Sequence, residues 1–144
     1  MNRPLELDDQ LCFPLYAASR AVTRAYSQLL SDAGLTYPQY LVLLALWSST
    51  SPLSVGELGE RLHLDSGTLT PLLKRLEAAG HVSRRRDAAD ERRVLVGLTD
   101  SGEALRDEAQ SIPTKVGAMV GIDAKQAELL KGLLATIIDR LESH

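Results

Sequence analysis

The chain has 144 residues, a formal net charge of −3, one cysteine and three histidines. A single cysteine excludes an intrachain disulfide and a four-cysteine zinc site, and His63, His81 and His144 lack ligand spacing, so no metal and no cofactor is expected. No apolar run approaches the roughly 20 residues of a membrane span, and the acidic N-terminus is unlike a secretory signal, which predicts a cytoplasmic protein. The length predicts one domain, 1–144, and leucine and alanine at helical spacing predict a mainly α fold.

The N-terminal part of the chain predicts two helices. The first runs from about residue 9 to residue 32 and ends before Gly34. Pro14 lies near its start, where the missing backbone N–H costs least. A second helix begins after Thr36, because Thr36 and Gln39 have the spacing of a capping box.

A helix-turn-helix pattern follows. Ser54 and Glu57 form a second capping box, which opens a short helix, and a tight link leads to a helix that Asp65 caps and that stops before Gly80. An apolar stripe on this last helix faces the core: Leu69, Leu72, Leu73 and Leu76. The opposite face carries short hydrogen-bonding side chains and then cations: Ser66, Thr68, Thr70, Lys74 and Arg75.

Beyond Gly80 the sequence predicts a charged hairpin, with strands at 82–86 and 92–98 and a polar tip at 87–91. Between Lys74 and Arg93 seven cations and four anions give +3, which leaves −6 for the rest of the chain. A helix followed by a basic hairpin is typical of a unit that reads DNA, and a local basic patch matters more than the whole-chain charge. An arginine-rich hairpin is equally compatible with a solvated sheet edge.

Two helices are predicted in the C-terminal part. Thr99 caps one that continues to about Val116 with a disturbance at Pro113, and Asp123 with Gln126 caps the last. The last helix is apolar over more than one stripe: Leu129, Leu130, Leu133, Leu134, Ile137, Ile138 and Leu141. Such a surplus predicts a homodimer through the first and last helices, which also suits a palindromic DNA site.

One motif and three blocks carry a resemblance to a known family. The motif is Asp-x-Arg, six residues, Thr, two residues and Gly, which Asp90, Arg92, Thr99 and Gly102 fill here. With it, the chain resembles the MarR family of winged-helix repressors over its full length. The blocks LCFPLY, LTYPQYLVLLALW and LDSGTLTPLLKRLEAAG are similar to the organic-hydroperoxide-sensing OhrR type, which tolerates the acidic Glu91.

The resemblance implies a mainly α winged helix-turn-helix fold with a small β-hairpin wing. The DNA-binding unit would span about 53–99, and the dimerisation helices about 8–34 and 100–144. Arg92 would enter the minor groove with Asp90 holding its side chain in place. The helix residues Ser66, Thr68, Thr70, Lys74 and Arg75 would lie in the major groove, and the remaining wing arginines would serve phosphates: Arg84, Arg85, Arg86 and Arg93.

The resemblance also implies a redox sensor at Cys12. The residue lies in the first turn of a helix, where the macrodipole favours a thiolate, and Tyr16 is one turn away. Tyr26 shares that face but lies about 21 Å along the same helix, so one chain cannot bring it to Cys12. In the OhrR type, Tyr26 and Tyr37 of the partner subunit would donate hydrogen bonds to Cys12. An organic hydroperoxide would oxidise the thiolate to a sulfenic acid, and with no second cysteine a small thiol would cap it, unless it cyclises or over-oxidises.

Other interpretations remain open. A lone cysteine on a helix is often a small buried hydrophobe, and both tyrosines could be interface packing residues. Arg20, two turns past Cys12, has two interpretations, assistance to the thiolate or an ion pair with a surface acid, and the ion pair is the favoured one. Alternative functions are a MarR-type repressor released by a lipophilic or phenolic ligand, a one-cysteine thiol peroxidase, and a structural DNA-binding protein. The leading hypothesis is a repressor and not an enzyme, since an enzyme does not need the basic helix and wing.

Overall fold

In the computed structural model, residues 4–143 are described; they form seven α-helices and a three-stranded antiparallel sheet. The elements in chain order are α1 (Cys12–Leu30), α2 (Tyr37–Trp47), β1 (Leu53–Ser54), α3 (Val55–Leu62), α4 (Ser66–Ala78), β2 (Val82–Arg86), β3 (Val94–Leu98), α5 (Asp100–Glu108), α6 (Ile112–Val120) and α7 (Ala124–Glu142). The predicted mainly α fold with a β wing is confirmed. None of these helices is long and apolar enough to cross a membrane. His144 lies outside the described residues.

The helix starts that the sequence predicted from capping residues are confirmed. At α2, Thr36 Oγ1 accepts from the backbone N–H of Gln39 at 3.3 Å, and the Gln39 side chain accepts from the Thr36 N–H at 3.0 Å. At α4, Oδ1 of Asp65 accepts from the N–H of Thr68 at 2.7 Å. Two more capping boxes open α3 and α7. Side-chain acceptors thus satisfy N–H groups that a helix cannot satisfy internally.

The first helix starts later than predicted. Its first residue is Cys12, and Leu7–Asp9 form a separate 3₁₀ turn. A helix from residue 9 would place Pro14 in its interior, where the ring clashes with the carbonyl four residues earlier. The side-chain amide of Gln10 instead donates to backbone carbonyls of the N-terminal turn. At the other end α1 stops at Leu30, two residues before the predicted end, and a 3₁₀ turn at Ser31–Ala33 leads to the left-handed Gly34; the prediction that the helix ends before Gly34 is confirmed.

The predicted fifth helix is two helices. The first, α5, ends at Glu108, a 3₁₀ turn follows, and α6 begins at Ile112. Pro113 is therefore the second residue of a new helix, where its missing N–H has no intrahelical acceptor to lose. The disturbance at this proline is confirmed, but α6 continues to Val120, beyond the predicted end.

The sheet contains one strand that the sequence did not predict. The two-residue β1 pairs antiparallel with β3, Leu53 opposite Val96, so that β3 lies between β1 and β2. The hairpin itself is confirmed, although β3 begins at Val94 and not at residue 92. A turn closed by the Arg93 N–H on the carbonyl of Asp90 occupies the two intervening residues.

The described chain divides into two compact units, with the boundary between Ser111 and Ile112. The first unit has a core of fully buried side chains from α1 to β3: Leu30, Val42, Leu43, Leu58, Leu69, Leu73, Leu76 and Val96. The second unit consists of α6 and α7. No residue of α7 is buried, and several of its apolar side chains are exposed: Leu129, Leu130, Leu133, Ile138 and Leu141.

Candidate nucleic-acid interface and cysteine site

The outer face of α4 carries the residues that the sequence assigned to it. The four leucines at helical spacing are buried on the opposite face. Ser66, Thr68, Lys74 and Arg75 are exposed, and Thr70 is half-buried. Helix α4 therefore offers hydroxyl groups near its N-terminus and cations in its second half, on a surface that the core does not use.

Two residues at the middle of that outer face were missed. Gly67 and Pro71 lie one helical turn apart and are both exposed. Proline has no backbone N–H, so the carbonyl of Gly67 lacks its usual helical donor. Gly67 has no side chain, so little but backbone covers the helix there. Their spacing opposite the leucines indicates this placement, but neither residue has a side chain that donates hydrogen bonds or carries charge.

The tip of the wing (β2, β3 and the loop between them) presents one arginine. The side chain of Arg92 is 92% exposed, and its Nε lies 3.2 Å from Oδ1 of Asp90. The same oxygen accepts from the backbone N–H of Arg92 at 3.1 Å. These hydrogen bonds hold the pKa of the Asp90 carboxyl below its usual range. The carboxylate thus orients an arginine that solvent almost entirely surrounds.

The other wing arginines divide into two groups. Arg84 is partly buried and occupied: its Nη2 lies 3.0 Å from Oε1 of Glu77, and its backbone N–H donates to Oε2 at 3.3 Å. This contact lowers the pKa of Glu77 and ties the end of α4 to β2. Arg85 is exposed, and Arg86, also exposed, donates to the carbonyl of Glu91 at 2.7 Å.

Arg93 belongs with Arg84. Its Nη2 lies 2.7 Å from Oε1 of Glu57, at the start of α3, and its Nη1 lies 3.4 Å from Oδ2 of Asp87. The sequence placed Arg84 and Arg93 among the phosphate contacts, but in this structure the guanidinium of each is engaged by carboxylates of the same chain. The sequence did not predict Glu57 and Glu77 as partners, because no local spacing indicates such contacts.

The last two residues of the Asp-Arg-Thr-Gly motif join the wing to α5. The Thr99 hydroxyl donates to the carbonyl of Gly80 at 2.5 Å and accepts from the N–H of Gly102 at 3.1 Å. A Cβ on Gly102 would overlap the carbonyl oxygen of His81, so only glycine fits. The carbonyl of Gly102 accepts from the buried indole N–H of Trp47 at 3.0 Å. This part of the motif is therefore structural.

Cys12 is the first residue of α1, and it is exposed. Tyr16, one turn later, is also exposed. Arg20 contacts Tyr16 and not the predicted surface acid: its Nη1 lies 3.4 Å from the phenol oxygen, and its Cζ lies 5.7 Å from the ring centroid. This geometry combines a weak hydrogen bond with a cation–π contact.

The two tyrosines assigned to the sensor lie together. The rings of Tyr26 and Tyr37 stack with centroids 4.1 Å apart, and Tyr40 lies 5.6 Å from Tyr26. Burial raises the pKa of Tyr26, and burial followed by the neighbouring Tyr26 raises that of Tyr37. Both phenols therefore keep their protons at neutral pH and remain donors. The structure does not bring Cys12 to them, because α1 is continuous between Cys12 and Tyr26 and rises about 21 Å over those residues.

Comparison with known proteins shows the family of the chain. A family model of the transcriptional regulators SarA and Rot matches residues 24–109. The chain belongs to this family of MarR-like winged-helix regulators. Among its relatives, the transcriptional regulator TtmR of Methylorubrum extorquens is 54% identical over 98% of this chain and 72% of TtmR. The organic hydroperoxide resistance regulator of Bacillus subtilis is 46% identical over 96% of this chain and 92% of its own.

Solved structures give the same family. Reduced AbfR bound to DNA is 36% identical, covers 94% of both chains and superposes with a TM-score of 0.75. AbfR comes from Staphylococcus epidermidis. AbfR with its disulfide formed covers 92% of both chains with a TM-score of 0.64 at 38% identity. The SarA/Rot-family chain is thus a transcriptional regulator of the MarR type, and members of its family bind DNA. Across residues 4–143 no cluster of three potential metal ligands was found.

Proposed function

We propose that this chain is a cytoplasmic, homodimeric repressor that leaves its operator when an organic hydroperoxide oxidises Cys12. The observation that carries the proposal is the exposed Cys12 on the same chain as a stacked, protonated tyrosine pair that it cannot reach. The B. subtilis relative, named for organic hydroperoxide resistance, and the AbfR structures in reduced and disulfide-formed states support a redox mechanism.

The second subunit would complete the site. An antiparallel copy of α1 would bring Tyr26 and Tyr37 of one chain beside Cys12 of the other. The exposed apolar side chains of α7, and Leu11, Phe13 and Leu15 near the start of α1, give such a dimer surface to bury. Two phenol donors stabilise a thiolate without placing a formal charge beside it. The pocket therefore stays apolar enough for an organic peroxide.

The reaction follows from these groups. The Cys12 thiolate attacks the terminal oxygen of the hydroperoxide, an S–O bond forms, and the O–O bond breaks. Sulfur loses two electrons and becomes a sulfenic acid, while the peroxide is reduced to an alkoxide that takes a proton and leaves as the alcohol. Because the sequence has one cysteine, a small thiol then condenses with the sulfenic acid and releases water. The capped side chain no longer fits its phenol donors.

The DNA contacts divide between α4 and the wing. Ser66, Thr68, Thr70, Lys74 and Arg75 would face the major groove. Arg92, oriented by Asp90, would enter the minor groove. Arg85 and Arg86 are exposed and would contact phosphates. We assign Arg84 and Arg93 to holding the wing, because their guanidinium groups are engaged by carboxylates.

Operator binding by wild type and Cys12→Ser, with and without an organic hydroperoxide, tests the proposal. The operator is first selected from random-sequence DNA by the reduced wild-type protein. We expect one equivalent of hydroperoxide to release wild type in the presence of a small thiol, and Cys12→Ser to stay bound. Release of both proteins would contradict the proposal, as would wild type that stays bound after oxidation.

The same preparation separates the alternatives. Continued consumption of hydroperoxide with excess thiol would indicate a thiol peroxidase, whereas one turnover per subunit followed by release indicates a switch. Release of both wild type and Cys12→Ser by a phenolic compound would indicate a ligand-controlled repressor. DNA binding indifferent to every addition would indicate a structural DNA-binding protein.

A further inference from the structure

The wing is tied to α3 by a carboxylate outside the DNA-reading motif. Oε1 of Glu57 lies 2.7 Å from Nη2 of Arg93, although 36 residues separate the two along the chain. Nη1 of the same guanidinium lies 3.4 Å from Oδ2 of Asp87, the residue after β2. Arg93 therefore bridges α3 and the start of the wing loop. A planar guanidinium suits this arrangement, because its two outer nitrogens can bind two carboxylates at once.

The Glu57 carboxylate is itself fixed in place. Its Oε1 accepts from the backbone N–H of Ser54 at 3.2 Å, and its own N–H donates to the Ser54 hydroxyl at 3.0 Å. Ser54 pairs with Leu95 in the sheet. Hydrogen bonds from Ser54, and then Arg93, lower the pKa of Glu57, so the group is charged at neutral pH. Arg93 is thus held by a charged group in the first turn of α3.

The tip of the wing is restrained on both sides of Arg92. On one side Oδ1 of Asp90 accepts from the N–H and Nε of Arg92. On the other side Arg93 is held by Glu57 and Asp87, and its N–H donates to the carbonyl of Asp90 at 2.9 Å. If Arg93 were released, the turn at the wing tip would keep only its internal contacts. The wing would then still be joined to α3 through the pairing of β1 with β3, and the direction in which Arg92 points would be less restrained.

We propose that Glu57 is a positioning residue for DNA binding, which holds Arg93 against α3 and so directs Arg92 toward the minor groove. This inference rests on the proposed contact between Arg92 and DNA. Glu57 and Arg93 are each about half exposed, and exposed ion pairs add little to folding stability. The effect of the pair falls on binding, because a wing that is ordered in advance loses less conformational freedom when it docks.

The sign of the effect distinguishes this role from simple electrostatics. DNA is a polyanion, so removing a carboxylate near its binding surface ordinarily strengthens association. A positioning role for Glu57 requires the opposite result, namely weaker binding after the negative charge is removed.

Glu57→Gln is the decisive variant, because glutamine keeps the capping box with Ser54 and loses only the charge that holds Arg93. Glu60→Gln is its matched control, since Glu60 is an exposed carboxylate on the same helix and the change in net charge is identical. Both substitutions are made in wild type and in Arg92→Ala. The dissociation constant for the selected operator is measured at one salt concentration, and thermal unfolding confirms that each variant is folded.

We expect Glu57→Gln to weaken operator binding about three- to tenfold, within the range found for coupled neighbouring residues. Glu60→Gln should bind as wild type does or more tightly. In the Arg92→Ala background, Glu57→Gln should have no further effect, because the arginine that it positions is gone. Arg93→Lys keeps the positive charge but cannot bridge two carboxylates, so it should reproduce the loss seen with Glu57→Gln.

Three results would overturn the inference. The first is a Glu57→Gln protein that binds as tightly as wild type or more tightly. The second is an equal loss with and without Arg92, since Glu57 would then act elsewhere than through the wing tip. The third is unchanged binding by Arg92→Ala alone, which would remove the proposed minor-groove contact itself and is recognisable because it does not depend on Glu57.

Discussion

The proposed DNA-reading part and the proposed sensing part of this regulator are built in different ways. From α3 to β3, side chains are held by partners in the same chain: Glu57 holds Arg93, Glu77 holds Arg84 and Asp90 holds Arg92. The proposed sensor residues are separated, with Cys12 exposed at the start of α1 and the stacked pair of Tyr26 and Tyr37 beyond its reach. One chain is therefore sufficient to shape the proposed DNA-reading surface, whereas the proposed sensor requires two.

The largest expected effect is on the free energy of unfolding, from a change at a close backbone contact within one chain. Gly102→Ala would place a methyl group against the backbone carbonyl oxygen of His81. Neither group can move away unless the backbone itself shifts. We expect the free energy of unfolding, measured in urea, to fall by about 3 kcal/mol. Gly132→Ala is the control: its Cβ meets nothing within 4 Å in α7, and alanine should stabilise that helix by about 0.5–1 kcal/mol. Equal stability of the two variants would contradict the close fit at Gly102.

The proposed sensor, which requires two chains, is tested by removing its phenol donors one at a time. Tyr26→Phe and Tyr37→Phe each delete one hydrogen bond to the proposed thiolate, worth roughly 1.5–3 kcal/mol. The rate at which an organic hydroperoxide oxidises Cys12 at neutral pH should therefore fall about ten- to a hundredfold per variant, since about 1.36 kcal/mol corresponds to a factor of ten. The loss of free thiol after mixing with the hydroperoxide measures this rate.

Tyr40→Phe provides the matched control for these variants. Tyr40 is buried within the same aromatic cluster but has no proposed contact with Cys12. Its replacement should leave the rate of Cys12 oxidation unchanged. Equal oxidation rates for wild type and all three variants would show that the tyrosines are packing residues.

A smaller effect is expected on the free energy of unfolding at acidic pH, where carboxylates that cap helices or hold arginines become protonated. Hydrogen bonds lower the folded-state pKa of Glu57, Asp65, Glu77 and Asp90. Their contribution is therefore present above the unfolded values of 4.5 for Glu and 3.8 for Asp, and it is lost as the pH falls through the lower folded values. Urea unfolding from pH 6 to pH 2.5 should show this loss, and Glu57→Gln should flatten it. An acid limb of unchanged slope would contradict the pairing.

The tyrosine cluster should affect the free energy of unfolding at alkaline pH. The pKa of Tyr26, Tyr37 and Tyr40 is raised above 10.0 by burial. A raised folded value means that stability is present below pH 10 and is lost as the pH rises through the folded pKa.

Local sequence patterns predicted most of the fold. The capping boxes at Thr36, Ser54 and Asp123 and the cap at Asp65 each predicted a helix start, because those bonds span only three residues. The two-residue β1 was missed, since its pairing with β3 depends on residues more than 40 positions away and a pair of residues has no periodicity.

The candidate site could be predicted only in part. Residues on the outer face of α4 followed from helical spacing, and Arg92 with Asp90 followed from a motif that lies within three residues. The roles of Arg84 and Arg93 could not be predicted, because their carboxylate partners lie 7 and 36 residues away. The proposed pairing of Cys12 with Tyr26 and Tyr37 came from family resemblance alone, because a contact between two chains has no characteristic spacing within one sequence.

The hydrogen bond between Trp47 and Gly102 makes the intrinsic fluorescence of this protein sensitive to its conformation. Trp47 is the only tryptophan, its indole N–H donates to the carbonyl of Gly102 in the first turn of α5, and its ring lies edge-on 6.2 Å from Tyr40. Tyr40 in turn lies beside Tyr26. Light absorbed by the tyrosine cluster can thus be emitted by an indole that is hydrogen-bonded to the helix after β3. One emission spectrum, recorded without any label, therefore follows the surroundings of the tyrosine cluster and of the start of α5 together.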